Sequence, residues 1–171
     1  MNTFARMMNP DAEKPLVMKY NGLPFVLFYG HTDGKPGRCF SNFYPTKFDV
    51  DLNAIRGECN LGEYNRVVSL STSEQYLMLR KALLFGDVKS AVKILESQSP
   101  ASVKALGRRV KGFTEEKWAE ARLGIMVDGL MLKFAHEPLR TYLLDTGDAT
   151  IVECAPNDKI WGIGLKVAAL E

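Results

Sequence analysis

Glu74 and Lys81 are the pair in this chain whose types and spacing most directly suggest chemistry. They lie in the run Ser73-Glu74-Gln75-Tyr76-Leu77-Met78-Leu79-Arg80-Lys81-Ala82-Leu83-Leu84-Phe85-Gly86-Asp87. Seven residues are close to two helical turns, so a carboxylate and an amine project from one side, with Met78 between them. A carboxylate moves protons or stabilises a cationic transition state, and an amine serves as charge partner or nucleophile. Spacing alone favours a plainer reading, a solvated face, because Glu and Lys are good helix formers. The neighbours do not settle it. Tyr76, Leu77, Leu79, Ala82, Leu83, Leu84 and Phe85 cover most of the circumference, which predicts a buried helix. A buried helix must solvate its charges, and a pocket is the usual place.

Three further islands carry chemistry-bearing side chains. Residues 38–45 are aromatic-rich: Asn42 donates and accepts, and Phe40, Phe43 and Tyr44 offer faces for a flat ring. The alternative for them is an aromatic loop packed on the core. Arg108-Arg109-Val110-Lys111 matches phosphate oxygens by its guanidinium forks, although a solvated basic patch is the commoner outcome of such a run. Asp158-Lys159-Ile160-Trp161-Gly162-Ile163-Gly164 places an acid beside an indole and two glycines, which suits a tight loop close to a ligand. A lone Trp is more often core than site, and the G-x-G lacks the rest of a dinucleotide fingerprint.

The elements that position these islands follow from local signals. Ser73 is the expected N-cap and Gly86 the expected terminator of the Glu74–Lys81 helix. A strand is expected at 24–29, a loop at 30–38, strand-like and turn-like fragments from 47 to 66, and a short strand at 67–70. Helices follow at 88–96, at 99–106 with Ser99 capping, Pro100 at the first position and Gly107 at its end, and from 114 onward. Trp118, Arg122, Ile125, Met126, Gly129, Leu132 and Lys133 recur at helical steps. A short helix after Pro138 and a strand at 150–154 complete the chain. Early strands, one late strand and helices between them predict an α+β domain, mostly helical, with a small sheet.

Bulk properties narrow the class. The 171 residues suffice for one domain with a sizeable core. At 46% hydrophobic and 25% charged the composition is that of a soluble globular protein. A net charge of +2 implies no nucleic-acid binding by itself. No apolar run approaches the ~18–20 residues of a membrane span, and residues 1–14 read as a flexible leader without a signal-peptide core, so a cytoplasmic protein is expected. Cys39, Cys59 and Cys154 are widely spaced, with no C-x-x-C pair, and His31 and His136 stand apart. No metal site, no cofactor and no Cys–His nucleophile is expected, and no G-x-S-x-G points to a serine hydrolase. Carboxylate chemistry with aromatic stacking fits hydrolysis at an anomeric carbon, where an oxocarbenium-like state is stabilised by a nearby carboxylate.

The order of motifs carries more than any one of them. Phe28-Tyr29, Phe40-Ser41-Asn42-Phe43-Tyr44-Pro45, Ser73-Glu74-Gln75-Tyr76, Lys81-Ala82, Phe85-Gly86-Asp87, Gly107-Arg108-Arg109-Val110, Trp118, Met126, Lys133-Phe134, Leu143-Leu144-Asp145-Thr146-Gly147, Ile151-Val152-Glu153 and Asp158-Lys159-Ile160-Trp161-Gly162-Ile163-Gly164-Leu165 occur in sequence over about residues 25–165. This conjunction resembles the NADAR domain family of YbiA-like proteins, the riboflavin-biosynthesis-intermediate N-glycosidases. The resemblance implies a single YbiA-like domain, here residues 15–171. It implies cleavage of a ribose C1–nitrogen bond in one of two settings: a phosphoribosylamino-pyrimidine of the riboflavin pathway, or ADP-ribose on guanine in nucleic acid. It implies a site of Glu74, Lys81 and Asp158 as catalytic groups, with Arg38, Asn42, Phe43, Arg109, Trp118, Trp161 and Gly162 binding substrate. In that assignment Glu74 is the acid–base group or oxocarbenium stabiliser. Lys81 is its electrostatic partner or a nucleophile toward the opened ribose aldehyde. Asp158 binds ribose hydroxyls or positions water.

One departure stands out. Family members usually continue a few tens of residues past the Trp-Gly-Ile-Gly-Leu segment, whereas this chain ends at Glu171. A C-terminal truncation or a divergent member is expected, and with it an alternative function: a module that binds ADP-ribose or a nucleotide without hydrolysing it. The oligomeric state is not legible.

Overall fold

The computed structural model describes residues 14–165 except Asn65. The expected leader therefore lies outside the described residues apart from Lys14, as does the tail from residue 166. The chain forms two compact units. One holds the residues up to Tyr44 together with those from Phe134 onward, and the other is Pro45–Lys133.

The first unit is built on a three-stranded sheet. β1 (Val17–Tyr20) runs antiparallel to β2 (Leu23–Phe28), with Val17 opposite Val26 and Tyr20 opposite Leu23. Asn21 and Gly22 connect them with φ of 49° and 82°, the left-handed pair that a two-residue hairpin turn requires. β5 (Thr150–Glu153) joins the other edge of β2 in parallel, Phe25 opposite Thr150 and Phe28 opposite Glu153. Its pairing stops at Glu153, one residue before the expected end. The core gathers Val26 and Phe28 of β2, Cys39 and Phe40 of a 3-10 turn (Arg38–Phe40), Tyr44, and Leu139 and Tyr142 of a short helix (Leu139–Leu144). Phe40 is its hub, with ring centroids 5.7 Å from Phe28, 5.8 Å from Phe134 and 5.5 Å from Tyr142. Gly37 enters this turn at φ 64°, and a β-carbon there would sit 2.8 Å from Cβ of Phe28.

The second unit carries its own two-stranded antiparallel sheet, so the strands divide between two sheets rather than forming one. β3 (Phe48–Asp51) pairs with β4 (Val67–Leu70), Phe48 opposite Leu70 and Asp51 opposite Val67. Asp51 ends β3 and caps the single turn α1 (Leu52–Ile55), its carboxylate accepting from Asn53 N–H at 2.9 Å.

β4 feeds α2 (Ser73–Leu84), the helix of Glu74 and Lys81. Its N-cap is Thr72, not Ser73: Thr72 Oγ1 accepts from Gln75 N–H at 3.1 Å, and Ser73 is the first helical residue. The Gln75 amide reaches back to accept from Ser71 N–H at 2.9 Å. Thr72-x-x-Gln75 has the sequence signature of a capping box, with the Gln75 side chain bonding the N–H one residue before the N-cap. Gly86 follows the C-cap Phe85 at φ 68° and ends the helix as expected.

α2 packs against three helices: α3 (Val88–Glu96), α4 (Pro100–Arg108) and α5 (Glu115–Lys133). Gly107 does not end α4, which continues through Arg108. Gly107 is buried, and any β-carbon on it would collide with the Met78 side chain of α2. Its lack of a side chain serves a helix–helix approach, not a terminus. No helix among the described residues is long and apolar enough to cross a membrane.

Candidate active site

Glu74 is buried, 7% exposed, which removes the solvated-face reading for the pair. Lys81 is half-buried seven residues on. Its Nζ stands 4.0 Å from the ring centroid of Phe113 and 5.4 Å from that of Trp118. Two rings therefore face the ammonium, one from the loop before α5 and one from the first turns of α5. Cation–π attraction partly replaces the water that burial removes. The net effect on Lys81 is still a lowered pKa: burial dominates, while the charges of Glu115 and Glu74 pull the other way. Glu115 is itself tied to Arg122 at 2.9 Å.

The cage is a product of helix packing. Glu74 and Lys81 are aligned by α2 alone, but Trp118 reaches Lys81 only because α2 and α5 pack together. Sequence reasoning identified Glu74, Lys81 and Trp118 and missed Phe113 and Glu115. The signals for the missed pair were weak: an aromatic after Gly112, and an acid in a first helical turn that the helix dipole explains by itself.

The other expected site residues divide between the two units. Arg109 is exposed at the C-cap of α4, its Nε donating to Ala105 C=O at 3.2 Å. The strip containing it is anchored by buried Val110 and by Lys111 N–H, which donates to Asp87 at 2.8 Å. Burial alone would raise the Asp87 carboxyl; donors from Lys111 and Ser90 outweigh it and hold its pKa down.

Arg38, Asn42, Phe43, Asp158, Trp161 and Gly162 belong to the first unit, whereas Glu74, Lys81, Arg109 and Trp118 belong to the second. Arg38 is ion-paired with Asp33 and lies 5.7 Å from the Tyr44 ring. Phe40 and Tyr44 are core, as the plainer reading of that island had it, while Asn42 and Phe43 are half-buried, with the His31 ring 5.8 Å from Phe43. Asp158 shapes its own loop: Oδ1 accepts from Ile160 N–H at 2.9 Å and Trp161 N–H at 3.0 Å. Gly162 closes that loop, since a β-carbon would stand 2.7 Å from Cβ of Ala155. No group of three or more His, Cys, Asp or Glu able to hold a metal exists among the described residues.

Comparison with known proteins agrees with this architecture. Residues 27–170 match the NADAR domain. The chain is 43% identical over 143 residues to the N-glycosidase R617 of Acanthamoeba polyphaga mimivirus, covering 82% of this chain and 78% of the viral protein. It is 36% identical over 149 residues to Protein irg-1 of Caenorhabditis elegans, covering 84% of this chain and 66% of the nematode protein. Its fold matches the NMR structure of the E. coli protein YbiA with a TM-score of 0.62 and 28% identity, over 82% of this chain and 72% of that one. The match over residues 27–170, the 43% identity to a relative along most of both chains and the shared fold identify the chain as a member of the NADAR domain family.

Proposed function

We propose that this protein is a hydrolase that cleaves a ribose C1–nitrogen bond, with Glu74 and Lys81 as its reacting groups. The observation that carries the reading is their place on one helix, Glu74 buried and Lys81 half-buried against Phe113 and Trp118. The activity in the name of the relative R617 supports the reaction class. Glu74 delivers a proton to the departing base nitrogen, stabilises positive charge at C1 and takes a proton from the incoming water. The lowered pKa of Lys81 increases the share of free amine, which favours its role as nucleophile toward C1 of an opened ribose. In that route C1 of the opened ribose still carries the base nitrogen, the Lys81 amine adds to C1, the base leaves with the proton it has gained as the Lys81–C1 imine forms, and one water then releases the sugar as its aldehyde and restores the lysine.

The finer assignment is a substrate with a phosphorylated ribose, either the phosphoribosylamino-pyrimidine or ADP-ribosylated guanine. Roles for Arg38, Asn42, Phe43, Arg109, Asp158, Trp161 and Gly162 in binding it rest on the family resemblance and are testable one variant at a time.

Incubation with each substrate, followed by mass spectrometry, names the reaction. Glu74→Gln and Lys81→Ala, each folded, should both lose release of the base. Borohydride added during turnover should leave a ribose-derived adduct on Lys81. Full activity in both variants would sink the assignment. Tight ADP-ribose binding without turnover in the wild type would instead support the binding-module alternative.

A further inference from the structure

The second unit contains an open cavity of about 460 Å³ beside the C-terminal half of α2. Neither Glu74 nor Lys81 lines it. Arg56, Glu58 and Cys59 come from the segment after α1, Arg80 and Phe85 from α2 and its C-cap, and Lys117 from α5. Three cations thus converge on one space with an apolar floor that includes Leu83 and Ile125.

These cations are positioned without being used up. Arg56 Nε donates to Asn53 at 3.2 Å and its Nη1 to Cys59 C=O at 3.2 Å. Arg80 Nη1 donates to the Tyr76 hydroxyl at 2.6 Å and to Asp128 at 3.3 Å. None of these bonds uses Nη2 of either guanidinium. Lys117 Nζ donates to Leu84 C=O at 2.9 Å, one of its three protons, and lies 5.4 Å from the Phe85 ring. Fixed guanidinium forks with donors to spare suit phosphate oxygens. Glu58 lines the cavity and Asp128 pairs with Arg80, so one net positive charge remains, which matches a single phosphate rather than a polyphosphate. The Phe85 ring offers a face for a flat body, and the volume lies in the ~300–1,000 Å³ range of small-molecule sites.

Two rings stand between the lining of this cavity and Lys81. Phe85 stands 5.4 Å from Phe113, which in turn covers Lys81 at 4.0 Å. We infer that the cavity is a second ligand site, built for a phosphate monoester on a flat apolar body, such as a nucleoside monophosphate. This site is independent of the proposed hydrolysis.

Cys59 reports on it directly. Its thiol is half-buried in the cavity, 3.6 Å from Leu83 C=O, whereas Cys39 and Cys154 are buried. Adenosine 5′-monophosphate at saturation should slow reaction of Cys59 with a thiol reagent about tenfold, and adenosine should not, because charge-assisted bonds to phosphate carry the affinity. Arg56→Gln and Arg80→Gln should each shift the protecting concentration upward about tenfold. Arg56 lies on a peripheral turn, so its variant keeps the test decisive if Arg80→Gln melts. Glu74→Gln should protect like the wild type, which separates this site from the one proposed for hydrolysis. Absence of protection up to about 10 mM nucleotide, equal protection by adenosine, an unchanged profile in Arg56→Gln, or loss of protection in Glu74→Gln each overturns the inference.

Discussion

The ring of Tyr76 packs against α5 at Gly129 so closely that a β-carbon there would lie 2.6 Å from Cδ1. This contact sets how near α5 comes to α2, and so whether Trp118 meets Lys81. Tyr76 has little room to yield: it is 2% exposed, its hydroxyl accepts from Arg80, and the Phe48 ring lies 6.4 Å away. Gly129→Ala should therefore cost about 1–3 kcal/mol from overpacking against the ~1 kcal/mol that Ala adds to a helix, a net destabilisation of up to about 2 kcal/mol. Urea unfolding measures this. A variant more stable than the wild type would show that the two helices are free to separate.

Thr72 and Ser73 should respond oppositely to loss of their hydroxyls. Thr72→Ala removes the cap on Gln75 N–H and should cost about 0.5–2 kcal/mol. Ser73 Oγ is buried with no hydrogen-bond partner among the described residues, so Ser73→Ala should be neutral or stabilising. Thermal melts of the two variants side by side decide it; a larger loss at Ser73 would reassign the cap.

The Lys81 environment has separable causes. Phe113→Ala admits water and should raise the Lys81 pKa toward that of ordinary lysine. Glu115→Gln removes a charge that favours the ammonium and should lower it further. The pH dependence of acylation at Lys81, followed by peptide mass, reads both. Shifts of the same sign would contradict the attribution.

The same shift has a stability consequence. Because folding lowers the Lys81 pKa, the unfolded chain binds the extra proton between the folded and unfolded values, and stability rises with pH through that window. Below it the cost of burying the charge is fully present. Lys81→Met should abolish this part of the alkaline rise, as seen in unfolding midpoints across pH; an identical profile in both proteins would rule the linkage out.

Asp158 poses a question of loop against charge. Asp158→Asn retains an Oδ1 able to accept from Ile160 and Trp161 N–H, while Asp158→Ala loses both bonds. Trp161 fluorescence should stay native in the Asn variant and change in the Ala variant. If the carboxylate serves the reaction, turnover should fall in both. Normal turnover in Asp158→Asn would confine the residue to shaping its loop.

Much of the local structure was written in short-range signals. Ser99-Pro100, Gly86 and the acids after Thr114 each mark a helix boundary through backbone hydrogen bonds made within a turn, and the structure places those boundaries where the signals lie. The alignment of Glu74 with Lys81 is likewise a property of one helix. Gly107 shows where such reading stops. As sequence it signals a helix end, and only the Met78 side chain, supplied by another helix, makes it an interior packing position. The hairpin of β1 and β2 had its Asn21-Gly22 turn in plain view, whereas the parallel partner β5 enters from far along the chain. By itself, the sequence determined which of the longer helices form, where most of them start and stop, and that an acid and an amine share a face, but not the single turn Leu52–Ile55. Only the tertiary structure decided that Glu74 is buried, that Phe113 and Trp118 close over Lys81, and that three cations from separate segments meet in one cavity. Burial and ring contacts arise from atoms distant in sequence, and desolvation, which sets the Lys81 pKa, has no local signature.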